Sequence, residues 1–135
     1  MNGSPLVPFE YAILRAVPRI DRGESINVGV LVHCRDRDFI GGRAHVDVRR
    51  LRALDAAIDC SDVERAATAA SDCTLREAQT AGQRFRWLTA ARSTVIQPGP
   101  VHTGLTADPA ADLDRLFTAL VLPPADPDDR RAPAP

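Results

Sequence analysis

The chain has 135 residues, 44% of them hydrophobic and 26% charged, with a formal net charge of −1. That length supports a single core, and the near-neutral balance excludes the diffuse positive field of a general nucleic-acid binder. No stretch approaches the roughly 20 apolar residues of a membrane span, and Met1 to Arg15 lacks the basic start and apolar run of a secretory signal, so the expected location is the cytoplasm, with no membrane partner.

Residues 1–8 read as a flexible N-terminus. From Phe9 to Val17 the pattern alternates with period two, placing Phe9, Tyr11, Ile13, Arg15 and Val17 on one face, and both faces are mostly apolar. This predicts a central strand that ends at Pro18, followed by a polar loop over residues 19–25. Ile26 to Cys34 is rich in β-branched residues and predicts a second strand, with Ile26, Val28, Val30 and Val32 sharing one face. The charged connection Arg35-Asp36-Arg37-Asp38 leads to a third strand within Phe39–Val48, where Gly41-Gly42 reads as a bulge or bend.

The period then lengthens. Val48, Leu51, Leu54 and Ile58 fall on one helical face, Ser61 and Glu64 form a capping-box pattern before an Ala-rich helix, and Thr74 and Glu77 repeat it before Leu75–Leu88. Ser93 to Gln97 reads as a last strand, broken by Pro98-Gly99-Pro100 and followed by a structured loop through His102-Thr103-Gly104. A final helix is capped by Asp108, carries Pro109 in its first turn and buries Leu113, Leu116, Phe117, Leu120 and Val121. Residues 123–135, rich in Pro, Asp and Arg, read as a disordered tail. The expected fold is thus one α+β domain over residues 9–122, an antiparallel sheet of about four strands with three to four helices packed on it.

All 17 basic residues are arginine. Mechanisms that need a lysine are excluded: the Walker P-loop, the Schiff base and the Ser-Lys pair. Each guanidinium can instead fork onto a carboxylate or phosphate. Cys34, Cys60 and Cys73 lack metal-ligand spacing and read as free thiols, and the dinucleotide, zinc-protease and nucleophile-elbow signatures are absent, so no cofactor and no metal are expected. His33 and Cys34 are neighbours on a strand and project to opposite faces, so they do not form a nucleophile-base pair. The Arg35, Arg37, Arg43, Arg49, Arg50 and Arg52 group is interleaved with Asp36, Asp38 and Asp47 and reads as a solvated face, and His45 takes no special role.

Two segments concentrate donors: Arg15, Arg19, Arg22, Glu24 and Asn27 around the end of the first strand, and Arg92, Ser93, Thr94, Gln97, His102 and Thr103 around the proline-bounded turn. On one reading Arg15 pairs with Glu24 and the loop residues are structural tethers. On the other the two segments converge into an anion-binding cleft in which Arg15, Arg19 and Arg92 hold a phosphate or carboxylate and His102 moves a proton.

The runs Tyr11–Arg19, Arg22-Gly23-Glu24 and Ile26–Val30, together with Phe85–Leu88, Arg92–Pro98 and Pro100–Gly104, closely resemble the bacterial domain-of-unknown-function family 3037, over roughly Phe9 to Leu122. Position 91 is Ala where the family's pattern suggests Pro. The resemblance implies that both donor-rich segments coincide with motif blocks, and that a HipA-like kinase is a functional partner. The expected function is an accessory or binding protein that engages a protein partner or a phosphate-bearing small molecule through an Arg-rich site. The alternative is a small enzyme acting on a phosphorylated or nucleotide-like substrate, with His102 as general acid or base and Arg15 and Arg92 as charge stabilisers.

Overall fold

A computed structural model describes residues 4–92 and 94–124 of the chain. Four strands, β1 (Val7–Ala16), β2 (Ile26–Cys34), β3 (Phe39–Ala44) and β4 (Ile96–Thr106), form one antiparallel sheet in the order β3-β2-β1-β4. Four α-helices accompany them: α1 (Val48–Leu54), α2 (Cys60–Ala70), α3 (Ala81–Leu88) and α4 (Pro109–Leu120). The α+β arrangement and the central place of the first strand are as expected. Among the described residues, no helix is long and apolar enough to cross a membrane.

The sheet is covered on both faces, which explains why its central strands read as nearly all apolar. On one face Leu14, Ala16, Ile26, Val28 and Leu31 pack against Leu51 of α1, Val63 and Ala67 of α2, and Phe85 and Leu88 of α3. On the other, Phe9, Val30, Val32 and Cys34 pack against Leu113, Leu116, Phe117 and Val121 around α4. Membership of the two cores corrects the expected face of β2, because Ile26 and Val28 lie on one side while Val30 and Val32 lie on the other. The cause is a bulge: Leu14 pairs with Gly29 but Arg15 pairs with Asn27, so Val28 is an extra residue and the alternation reverses there. Gly29 suits the kink, since a Cβ at that position would meet the Arg43 carbonyl oxygen at 3.0 Å and Leu14 Cδ1 at 3.1 Å.

Gly41-Gly42 forms no bulge, and the β2–β3 register runs through it without a shift. Both positions are instead sites of close approach: a Cβ on Gly42 would stand 2.5 Å from the Ser71 carbonyl oxygen, and one on Gly41 would stand 2.9 Å from Leu113 Cδ2 of α4. The last strand also differs from expectation. β4 begins at Ile96 and runs on through Pro98-Gly99-Pro100 and His102-Thr103-Gly104 to Thr106. Three steps from Pro98 to Val101 oppose two from Leu14 to Ala12, so the proline segment is a bulge. An edge strand tolerates prolines that a central one would reject, because its outer N–H groups have no ladder partner to lose.

Helix boundaries shift for local reasons. Asp59, whose side chain accepts from Asp62 N, caps α2 one residue ahead of its start, in place of Ser61. Thr80 and Gln83 form the reciprocal capping box of α3, in place of Thr74 and Glu77; the preceding segment is turn, with Arg76 at φ 62°. α1 ends at Leu54 because Asp55 turns extended, so Ile58 is not part of it. Helix α4 keeps its Asp108 cap and Pro109 start. At the chain start β1 begins at Val7, where Val7 and Pro8 pair with Thr106 and Leu105. Residues 1–3 of the expected flexible N-terminus and residues 125–135 of the expected tail lie outside the described residues.

Candidate functional site

Arg15 sits near the end of β1, paired with Asn27 of β2 on one side and Gln97 of β4 on the other. Its side chain runs toward β4, where a Cβ on Gly99 would lie 3.2 Å from the guanidinium carbon. Arg15, Val17, Ile20, Gly23, Ser25, Gln97 and Pro98 line a solvent-reachable cleft of about 220 Å³. The two donor-rich segments therefore do meet, through Arg15 and Gln97.

The charges around that cleft are arranged differently from the expected Arg15–Glu24 pair. Glu24 accepts from Arg22, and Asp21 pairs with Arg19 at 3.2 Å, both within the exposed loop. The hydrogen bond from Arg19 holds the Asp21 carboxyl below its ordinary value, and the bond to Glu24 pushes the Arg22 guanidinium up. Such exposed pairs add little stability, but each spends its arginine's charge locally. Arg15 is partly buried and makes no ion pair or hydrogen bond among the described residues.

The other expected site residues divide into tethers and outliers. Asn27 Nδ2 donates to the Leu120 carbonyl at 3.0 Å and fastens the end of α4 to β2. Thr94 Oγ1 donates to the Ile96 carbonyl, and Gln97 Nε2 to the Thr94 carbonyl, which together hold the turn into β4. Arg92 leaves the cleft: it donates to the Trp87 carbonyl at 2.6 Å and lies 4.4 Å above the Trp87 ring, with Arg76 also stacked on that ring at 4.2 Å. Ser93 lies outside the described residues. His102 is exposed on β4 opposite Tyr11, the rings 5.1 Å apart. Tyr11 is four strand positions from Arg15, roughly 13 Å at ~3.3 Å per residue. Thr103 pairs with Glu10. Arg15, Arg92 and His102 are thus not gathered around one phosphate.

A second constellation was not expected. Glu10 and His33 are register partners on β1 and β2, and Glu10 Oε1 stands 3.1 Å from His33 Nδ1. His33 is only 8% exposed and stacks on Phe85 of α3 at 5.4 Å. Two clefts open beside it. One, of about 340 Å³, is lined by Arg35, Asp38, Thr80, Ala81, Gly82 and Arg86 as well as His33. The other, of about 380 Å³, is bounded by Glu10, Arg35, Asp36 and Thr103 among others. Cys34, the chain neighbour of His33, points away from it and donates to the Pro8 carbonyl. The partner of His33 is on another strand. A usable signal was present: Glu10 and His33 are two of the few polar residues in strands that are otherwise apolar.

A family model described as "Protein of unknown function (DUF3037)" matches residues 11–121. No curated protein and no solved structure matches the chain.

Proposed function

Because the chain belongs to the DUF3037 family, whose description carries no activity, we propose from the geometry that it is a small accessory protein which engages an anionic group of a protein partner at Arg15. The reading rests on one observation: a partly buried guanidinium that faces a cleft and has no counter-charge among the described residues. Removing a cation from water without a partner costs free energy, and an incoming carboxylate or phosphate offsets that cost through a bidentate contact.

Cleft size favours a partner's side chain over a whole metabolite. Pockets for drug-sized ligands span ~300–1,000 Å³, and this one is about 220 Å³. Ile20, 65% exposed on its rim, adds apolar surface of the kind a partner covers. A HipA-like kinase is the proposed partner. The test is binding of the purified kinase to wild type, Arg15→Lys and Arg15→Ala. Expected affinity falls roughly tenfold or more for Ala and less for Lys, which keeps the charge and loses the fork. Unchanged affinity of a folded Arg15→Ala variant would remove this reading.

A further inference from the structure

We propose that Glu10, His33, Arg35 and Arg86 form a second site, separate from Arg15, which binds the terminal phosphate group of a phosphate monoester. The argument starts from the dyad. An ionised carboxylate only accepts hydrogen bonds, so the 3.1 Å contact places the hydrogen on His33 Nδ1. Nε2, the other ring nitrogen, is left for a ligand: among the described residues nothing bonds it. The His33 side chain is nine-tenths buried, so its orientation is held by Phe85 on one side and Glu10 on the other.

Nε2 is aimed at the start of α3. A Cβ on Gly82 would lie 3.6 Å from His33 Nε2 and 3.6 Å from Arg86 Nη1, so one small tetrahedral group in that space touches both. Arg35 lines the same cleft, and neither arginine side chain makes an ion pair or hydrogen bond among the described residues. The Gln83 amide is held by the Thr80 cap, while those of Ala81 and Gly82 face no intrahelical acceptor and add donors at the same end. Acidic groups are also near, Asp38 in this cleft and Asp36 in the adjoining one. A phosphate monoester satisfies every group: its oxygens accept from Arg35 and Arg86, and at Nε2 it accepts from a protonated ring or donates its P–OH to a neutral one. A sulfate ester carries one charge and no proton, so it meets the guanidiniums with less charge than a phosphate dianion and has nothing to donate to the ring.

The test uses the full chain with phenyl phosphate and phenyl sulfate as probes near neutral pH, read by calorimetry and by the His33 imidazole nitrogen resonances. Expected is binding of phenyl phosphate with a shift of the His33 Nε2 signal, and an affinity roughly tenfold or more above that for phenyl sulfate. Gly82→Ala should weaken binding by a similar factor without unfolding the protein, because the added methyl meets its neighbours at ordinary contact distance and fills the space the ligand needs. Arg35→Ala with Arg86→Ala should weaken it further. A silent His33 resonance, equal affinity for the two esters, or wild-type binding by the Gly82→Ala variant would each overturn the proposal.

Discussion

Replacing Asn27 separates a structural tether from a ligand contact, and the size of the effect follows from what its side chain touches. Leu120 is the last residue of α4, so its carbonyl has no partner inside the helix; Asn27 Nδ2 supplies one at 3.0 Å. Asn27→Ala removes a partly buried hydrogen bond and should cost about 1 kcal/mol. Asn27→Asp keeps the shape but turns the donor into an acceptor against that carbonyl. It also sets a negative charge at the negative end of the helix dipole, a further ~0.3–1 kcal/mol, for about 2 kcal/mol in all. For a chain of this length 1 kcal/mol moves the melting temperature by roughly 4 °C, so the expected drops are about 4 °C and about 8 °C. The introduced carboxyl is repelled in the folded state, so its folded pKa lies above its unfolded one. The order therefore depends on pH: the protonated group donates to Leu120 and the aspartate variant recovers below about pH 4, then loses stability as pH rises through that range. Thermal melts and urea titrations followed by circular dichroism check this. If both variants melt with the wild type near pH 7, Asn27 does not fasten α4, and its place in the donor-rich segment needs another cause.

Three further outcomes follow from the packing and the titratable groups. Gly42→Ala should cost about 2–3 kcal/mol, since its Cβ would meet a backbone oxygen at 2.5 Å, whereas Gly41→Ala meets only the ends of Phe39 and Leu113 at 2.8 and 2.9 Å and should cost about 1 kcal/mol; equal melting shifts would refute the distinction. Burial pushes the Cys73 thiol up to about 11, so near pH 8 only about one molecule in a thousand carries the thiolate and alkylation mapped by mass spectrometry should be slow. Because that folded value lies above the unfolded one, stability should fall as pH rises from about 9 toward 11, and rapid labelling of the folded protein near pH 8 would contradict it. Arg92→Ala should change the fluorescence of Trp87, the single tryptophan, by removing one of its two stacked guanidinium groups. It should cost less than about 1 kcal/mol and leave binding at Arg15 intact; an unchanged emission spectrum would count against the stack.

Features that depend on neighbours within a turn or two were legible in the sequence. Helix α4 was read with its cap, its first-turn proline and its buried stripe because Asp108, Pro109 and Leu113 to Leu120 act through local geometry. The limits of β2 were read correctly from its β-branched run. Its faces were not, because the bulge at Val28 arises from pairing with Leu14 and Arg15, residues that sequence spacing does not connect to it. Competing caps misled the helix starts, since Thr74 and Thr80 each precede a suitable partner and tertiary packing selects between them. Pro98 and Pro100 stop a strand by local rules, and only the order β3-β2-β1-β4 makes their segment an edge where they are permitted.

Composition and short-range pattern by themselves determined an α+β arrangement with an arginine-only set of cations, and they marked Arg15 and Gln97 among the donor-rich residues. Tertiary structure alone decided that Glu24 answers Arg22 and leaves Arg15 without a counter-charge, that Arg92 goes to Trp87, and that Glu10 meets His33. Helix periods and caps are set by contacts a few residues long, whereas charge pairing across strands is set by register, which closes only when segments far apart in the chain come together.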